Sequence, residues 1–276
     1  MNLELQGVSA HHPAARAGSL PALQCLDLAV RSGGQVAIIG PSGAGKTTLL
    51  QVLSCGLPPV QGRLLFEGQS PWALSRSALQ RWRGGLFLAP QVPPLPPRQR
   101  VVTAVLAARL PVMSVWASLR SWVYPADIPG AFRALERFDM GDKLFERVDR
   151  LSGGERQRVG LARALLSPAR CWYIDEPLSA LDPARARLAI ETLTDEARAR
   201  QVTLVATLHQ VDMALTYFPR IVGMREGRVV FDLPSGAVTR DRLSRLYDQF
   251  EHELRGESVV ADQPLVASAP VAMHCR

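Results

Sequence analysis

Apolar residues recur along this chain in short runs bounded by glycine, proline and small polar residues, with stretches of helical periodicity between them. Residues 3 to 8 and 26 to 30 read as short strands joined by a polar, small-residue link. Arg31-Ser32-Gly33-Gly34 is a turn, and Gln35 to Ile39 is the strand that follows it. Gly62 to Gly68 holds another short strand between glycine turns, and Leu86-Phe87-Leu88-Ala89 is a further apolar run. The pattern then breaks at Pro90-Gln91-Val92-Pro93-Pro94-Leu95-Pro96-Pro97, which can form neither helix nor interior strand. It predicts a stiff, extended connector and a lobe boundary.

From Val101 to about Leu166 the signals are helical, with Ala, Leu and Arg abundant and with Pro111, Pro125 and Pro129 dividing the stretch. This predicts a helical subdomain over about 92–168, inserted into a sheet. Cys171-Trp172-Tyr173-Ile174 reads as a buried strand, and Asp182-Pro183 as cap and first turn of a helix to about Arg200. Ile190, Leu193 and Ala197 fall on one face of that helix. Val202 to Thr207 is the next strand. Ile221–Met224 and Arg228–Phe231 flank Glu226-Gly227 as a hairpin. Residues 239 to 255 are expected to be helical, and the weakly patterned tail, 251–276, to be mobile.

Composition narrows the class. At 276 residues, 47% hydrophobic and 21% charged, with mean hydropathy +0.04, the chain can bury a substantial core. A net charge of +7 favours acidic partners, but the arginines are spread along the chain, which reads as solvated surface. Cys25, Cys55, Cys171 and Cys275 show no metal-ligand spacing and read as buried free thiols. No basic, apolar leader opens the chain and no run of about 18 apolar residues occurs, so a cytosolic setting is expected.

The chemistry begins at Gly40-Pro41-Ser42-Gly43-Ala44-Gly45-Lys46-Thr47-Thr48, between the strand at 35–39 and the apolar run Leu49 to Leu53. Strand, glycine-rich loop and helix in this order make a phosphate-binding loop. Its amides can turn toward phosphate oxygens, Lys46 can reach the outer phosphates, and the Thr47 hydroxyl suits Mg2+. Ser152 and Glu155 stand at capping-box spacing before a helix with Val159, Ala162 and Leu166 on its apolar side. Gly153 and Gly154 in that first turn cost about 1 kcal/mol each against alanine. A close backbone approach would explain tolerating them, and an anion bound by Ser152 and the glycine amides fits. Asp175-Glu176 ends an apolar strand, where ligands sit in an open parallel sheet. Asp175 can hold Mg2+ and Glu176 can polarise a water for attack on a terminal phosphate. His209 closes the next strand and could donate to that phosphate. Gln91, at the edge of the proline connector, could touch both metal and water.

Together these residues resemble the ATPase subunit of ABC transporters over about residues 3 to 250. Gly40–Thr48 is similar to its Walker A loop, Leu151–Glu155 to its signature motif and Cys171–Glu176 to Walker B with the catalytic glutamate. Ser179-Ala180-Leu181-Asp182 resembles the D-loop, His209 the switch histidine and Gln91 the Q-loop glutamine. Thr207–Ala214, Arg220–Asp232, Val105–Leu110 and Ala134–Arg137 look most like the phosphonate-import branch. The signature carries Glu155 where the family usually has Gln, and His12 stands where an aromatic residue normally stacks on adenine.

The resemblance implies an α/β fold: a P-loop NTPase core of mixed sheet and flanking helices, an N-terminal antiparallel part and the inserted helical subdomain. It implies ATP and Mg2+ as cofactors, and a head-to-tail dimer in which Ser152 to Glu155 of one copy meet the other copy's nucleotide, with Asp182 as the D-loop residue. It further implies permease subunits, an indirectly coupled solute-binding protein, and a place on the cytoplasmic face of the cell membrane. The cargo it suggests is phosphonate or a related phosphorus oxyanion. Other cargo, a cell-envelope task and a soluble ATPase working on nucleic acid are the alternatives. Without a coiled-coil insertion or a second cassette, no nucleic acid is expected.

Overall fold

The computed structural model describes residues 1–15, 18–114, 116, 118, 120 and 127–248. Strands β1 (Leu3–Ala10) and β2 (Leu23–Val30) precede β3 (Gln35–Ile39), which leads through the glycine-rich loop into α1 (Lys46–Leu53). β4 (Gln61–Phe66), α2 (Arg76–Arg83) and β5 (Leu86–Ala89) follow, then α3 (Val101–Leu106), α4 (Ile128–Glu136) and α5 (Gly153–Leu166). The chain continues as β6 (Cys171–Asp175), α6 (Pro183–Ala199), β7 (Thr203–Thr207) and α7 (Val211–Tyr217). It closes with the β8 (Arg220–Arg225) and β9 (Arg228–Pro234) hairpin and α8 (Arg240–Leu246).

Two sheets result. β2-β1-β4 is antiparallel, and the six-stranded sheet has the order β5-β6-β7-β3-β8-β9, parallel except for β9. Side chains alternate across the larger sheet, as period two requires. Ala37 and Ile39 of β3, Trp172 and Ile174 of β6, and Leu204 and Ala206 of β7 join the core shared with α3 to α8. Val36, Ile38, Cys171, Tyr173 and Val205 face α1 and the antiparallel sheet. With both faces covered, these strands read as continuous apolar runs, which is why the sequence marked them. An eight-residue α1 is marginal alone. Leu49, Leu50, Val52 and Leu53, all fully buried, fix it by burial worth about 1.5–3 kcal/mol each.

Several boundaries move. β1 runs to Ala10 and β2 starts at Leu23, because each pairs along nearly its whole length with its neighbour despite two register shifts. The helical signal over 101–166 resolves into shorter pieces: α3 gives way to a tight 3-10 turn, Ala107–Val112, that contains Pro111. α7 was not foreseen; at seven residues it is too short for periodicity to register. α8 ends at Leu246, and the expected helix beyond it, with the tail, lies outside the described residues from 249 onward. The proline connector is tied to the segment before α5: Asp149 N–H donates to Pro97 O (2.9 Å) and Val148 N–H to Gln99 O (3.0 Å). Pro93 also sits against Gly160 of α5, leaving no room there for a Cβ. Of the cysteines, Cys55 and Cys171 are buried but Cys25 is exposed, since it falls on the outward side of β2, and Cys275 lies outside the described residues. Among the described residues no helix is long and apolar enough to cross a membrane.

Candidate active site

The parallel order places four strand ends side by side. Gln91 follows β5, Glu176 follows β6, His209 follows β7 and the glycine-rich loop follows β3, all at the carboxyl edge of the sheet. Gly45, at φ 95°, caps α1, and a Cβ there would lie 2.4 Å from the Ala22 carbonyl oxygen, so only glycine lets the loop turn. The Glu226-Gly227 turn, with φ of 50° and 77°, holds the loop from outside: Gly227 N–H donates to Ala44 O at 3.1 Å. Lys46 is 5% exposed, and its ammonium donates to the carbonyls of Gly40 (2.6 Å) and Pro41 (3.1 Å).

Asp175 and Thr207 are direct cross-strand partners on β6 and β7. The buried Thr207 hydroxyl donates to Asp175 Oδ1 (2.6 Å) and accepts from Glu176 N–H (2.9 Å). Glu176 has φ 47°, in the left-handed region. Its carbonyl accepts from Gln157 Nε2 and from Ser179 Oγ, each at 3.2 Å. Three side chains thus hold the backbone of one residue in an unfavoured conformation, a recurrent feature of functional sites. The Glu176 carboxylate lies between Gln91, whose Nε2 donates to Oε2 at 2.6 Å, and His209, whose Nε2 is 2.5 Å from Oε1. Burial pushes this carboxyl up, but the His209 hydrogen bond and charge, with Lys46, outweigh it and hold it below its ordinary value.

His12, Ala22, Ser42, Gly43, Ala44, Gly45, Lys46, Thr47, Thr48, Gln91, Glu176 and His209 line one cavity of about 510 Å³. His12 sits at its rim, with Nδ1 accepting from Ala14 N–H at 3.1 Å. Gly40, Pro41 and the buried Asp175 (4% exposed) are not among the lining residues; Lys46 donates to the Gly40 and Pro41 carbonyls, and Thr207 to Asp175.

Ser152, Gly153, Gly154, Glu155 and Asp182 do not line this cavity. Both halves of the capping box form: Glu155 N–H donates to Ser152 Oγ (3.2 Å) and Ser152 N–H to Glu155 Oε2 (2.7 Å). That backbone hydrogen bond holds the Glu155 carboxyl below its usual range. The two glycines have different reasons. A Cβ on Gly154 would stand 2.7 Å from the Ala180 carbonyl oxygen, so the close approach comes from the chain itself; around Gly153 there is open space. Asp182 caps α6, accepting from the N–H groups of Ala184 (3.1 Å) and Arg185 (3.0 Å). The expected helix-end anion is therefore not needed to explain Gly154.

Nothing in the sequence signalled that Thr207, Gln157 and Ser179 hold the Asp175-Glu176 segment. Thr207 stands two residues before His209 on a strand, but its pairing with Asp175 exists only through β6–β7 register.

The model of the ABC transporter family matches residues 23–179. The phosphonates import ATP-binding protein PhnC 2 of Albidiferax ferrireducens is 64% identical over 277 residues, covering 100% of both chains. PhnC of a Polaromonas species is 60% identical, again over 100% of both, and PhnC 2 of Pseudomonas aeruginosa is 49% identical over 99% of this chain and 98% of its own. Among solved structures, a dimeric post-hydrolysis ATP-binding cassette bound to ADP and Pi matches at TM-score 0.72 with 23% identity, over 84% of this chain and 98% of that one. The protein named cbiO1 of Clostridium perfringens, part of the ABC transporter complex cbiONQ, matches at TM-score 0.70 with 22% identity, over 90% of this chain and 94% of that one. These likenesses show the cassette fold, with its P-loop core and flanking helices. With a family model spanning more than half of its length and relatives aligned end to end, the chain belongs to the ABC transporter ATP-binding family.

Proposed function

We propose that the chain is the ATP-hydrolysing subunit of an importer that energises uptake of a phosphonate, or a related phosphorus oxyanion, across the cytoplasmic membrane. The observation that carries the chemistry is the single cavity in which Lys46 and the phosphate loop face a Glu176 carboxylate held between Gln91 and His209. Relatives named for phosphonates import that match along the whole chain support the cargo.

ATP lies along the loop, where amides from Gly43 to Thr48 donate to phosphate oxygens and Lys46 turns from the Gly40 and Pro41 carbonyls to the outer phosphates. His12 at the rim stacks on the base. Thr47, Gln91 and Asp175 offer the hydroxyl, amide and carboxylate oxygens that suit Mg2+, which when bound neutralises charge on the phosphates. Glu176, held deprotonated by its depressed value, accepts the proton of the attacking water, and His209 orients the terminal phosphate. Ser152 to Glu155 and Asp182, standing outside the cavity, serve the nucleotide of a second copy packed head to tail. Residues 1–250 act as one ATPase unit, with the helices of about 92–168 and the Gln91 connector meeting permease subunits at the cytoplasmic face. A solute-binding protein delivers the cargo to those subunits, and nucleic acid is not a partner.

In the chain assembled with its membrane subunits, Glu176→Gln lowers turnover about a hundred- to ten-thousandfold and accumulates an ATP-dependent dimer on size exclusion. Turnover at the wild-type rate removes Glu176 as the base. Phosphonate-loaded binding protein should stimulate ATP hydrolysis in this assembly; stimulation by another solute only would overturn the cargo.

A further inference from the structure

α8 reaches the phosphate loop from an element remote in sequence. Its exposed positions are Arg240, Asp241, Arg242, Ser244 and Arg245, while Leu243, Leu246 and the following Tyr247 enter the core that also holds Ala37 and Ile39 of β3. A seven-residue helix is not stable alone, so these three side chains, with Arg225 donating to the Arg245 carbonyl at 2.9 Å, dock it. Tyr247 is 1% exposed, and its hydroxyl accepts a hydrogen bond of 3.1 Å from the Gly40 N–H.

Gly40 is where the sheet runs out. The last pairs of β3 are Ile38 with Thr207 on one side and Ile39 with Gly223 on the other. One residue later the chain turns at φ 151°, so close to β8 that a Cβ on Gly40 would lie 2.0 Å from the Met224 carbonyl oxygen. The Gly40 N–H is buried there, and the phenol oxygen of Tyr247 stands in for a strand neighbour. On the other side of the same residue, the Gly40 carbonyl accepts from Lys46 Nζ at 2.6 Å. Tyr247, the Gly40 peptide groups and Lys46 are thus joined by two hydrogen bonds.

We propose that Tyr247 is a positioning residue for ATP binding, holding the first turn of the phosphate loop through its hydroxyl so that the loop amides and Lys46 are set for the phosphates. This rests on the reading of Gly40–Thr48 as the nucleotide site. Tyr247→Phe keeps the packed ring and removes the hydroxyl, leaving the buried Gly40 N–H without this acceptor unless the loop moves.

In the full chain, Tyr247→Phe should weaken the affinity for a fluorescent ATP analogue and raise KM for ATP about tenfold, with kcat at saturating ATP within twofold of wild type. Hydrogen exchange over residues 40–46 should quicken, while exchange over β3 stays near wild type and the nucleotide-free melting temperature falls by no more than about ten degrees. Lys46→Ala separates the two ideas. Lost affinity in Lys46→Ala with wild-type affinity and exchange in Tyr247→Phe overturns the role of Tyr247 alone. Wild-type affinity in Lys46→Ala overturns the nucleotide site itself. A melting temperature lowered without any change in affinity marks Tyr247 as packing only, which also overturns the proposal.

Discussion

A single hydroxyl connects the Asp175 carboxylate to the backbone of Glu176. Thr207 donates to Asp175 and accepts from the Glu176 amide, so removing it frees the Asp175 side chain and the Glu176 backbone together. Because Thr207 is fully buried, Thr207→Val preserves shape but leaves the Asp175 oxygen and the Glu176 N–H short of a partner. Displacements of this kind are large in catalysis, where about 1 Å can cost about a hundredfold. Thr207→Val is expected to lower steady-state turnover about ten- to a hundredfold and to raise the Mg2+ concentration needed for nucleotide binding. Thr207→Ser, which keeps the hydroxyl, should restore most of both. Equal turnover in the two variants would show that the hydroxyl does not matter.

At the scale of elements, α5 does two jobs. Its capping box stabilises the start of the helix, while Gln157, one turn on, reaches the Glu176 carbonyl and ties α5 to the end of β6. Gly154 presses the first turn against Ala180 in the segment that leads to α6, and Gly153 faces open space. The two glycines should therefore respond differently to alanine. Gly154→Ala forces a Cβ against a backbone carbonyl and is expected to lower unfolding stability by about 1–3 kcal/mol in urea titrations. Gly153→Ala should leave stability unchanged or slightly raised, yet reduce ATP-driven dimer formation if a second nucleotide meets this helix end. Unaltered dimerisation and turnover in Gly153→Ala would detach the exposed glycine from the second site.

For the molecule as a whole, the two cores on either face of the six-stranded sheet decide which reactive groups meet solvent. Cys55, at the end of α1, and Cys171, at the start of β6, belong to the core under the antiparallel sheet. Burial pushes the Cys55 thiol up to about 12, with Arg83 opposing only in part, and raises Cys171 as well. Cys25 lies on the outside of β2. A maleimide at neutral pH should label Cys25 in the native protein and spare Cys55 and Cys171 until denaturant is added, as read by peptide mass analysis. Rapid native labelling at Cys171 would mean that β6 opens far more readily than its buried pairing suggests.

Much of the site was legible because its residues are close in sequence or lie at strand ends. Gly40 to Thr48 announce their loop by spacing alone; Asp175, Glu176 and His209 fall at the ends of apolar runs, so the carboxyl edge of a parallel sheet could be anticipated. Ser152 and Glu155 made their capping box for the same reason, being three residues apart. Strand order and register, which carry Gln91 and His209 to opposite oxygens of Glu176, depend on pairing between segments far apart in the chain and leave no local pattern. Thr207 under Asp175, Ala180 against Gly154 and Tyr247 beneath Gly40 are contacts of that kind. The sequence by itself determined the chemistry, since motif spacing is local. Only the tertiary structure decided what holds that chemistry in place, because the holding groups come from elements that meet only when the sheet and its two cores have formed.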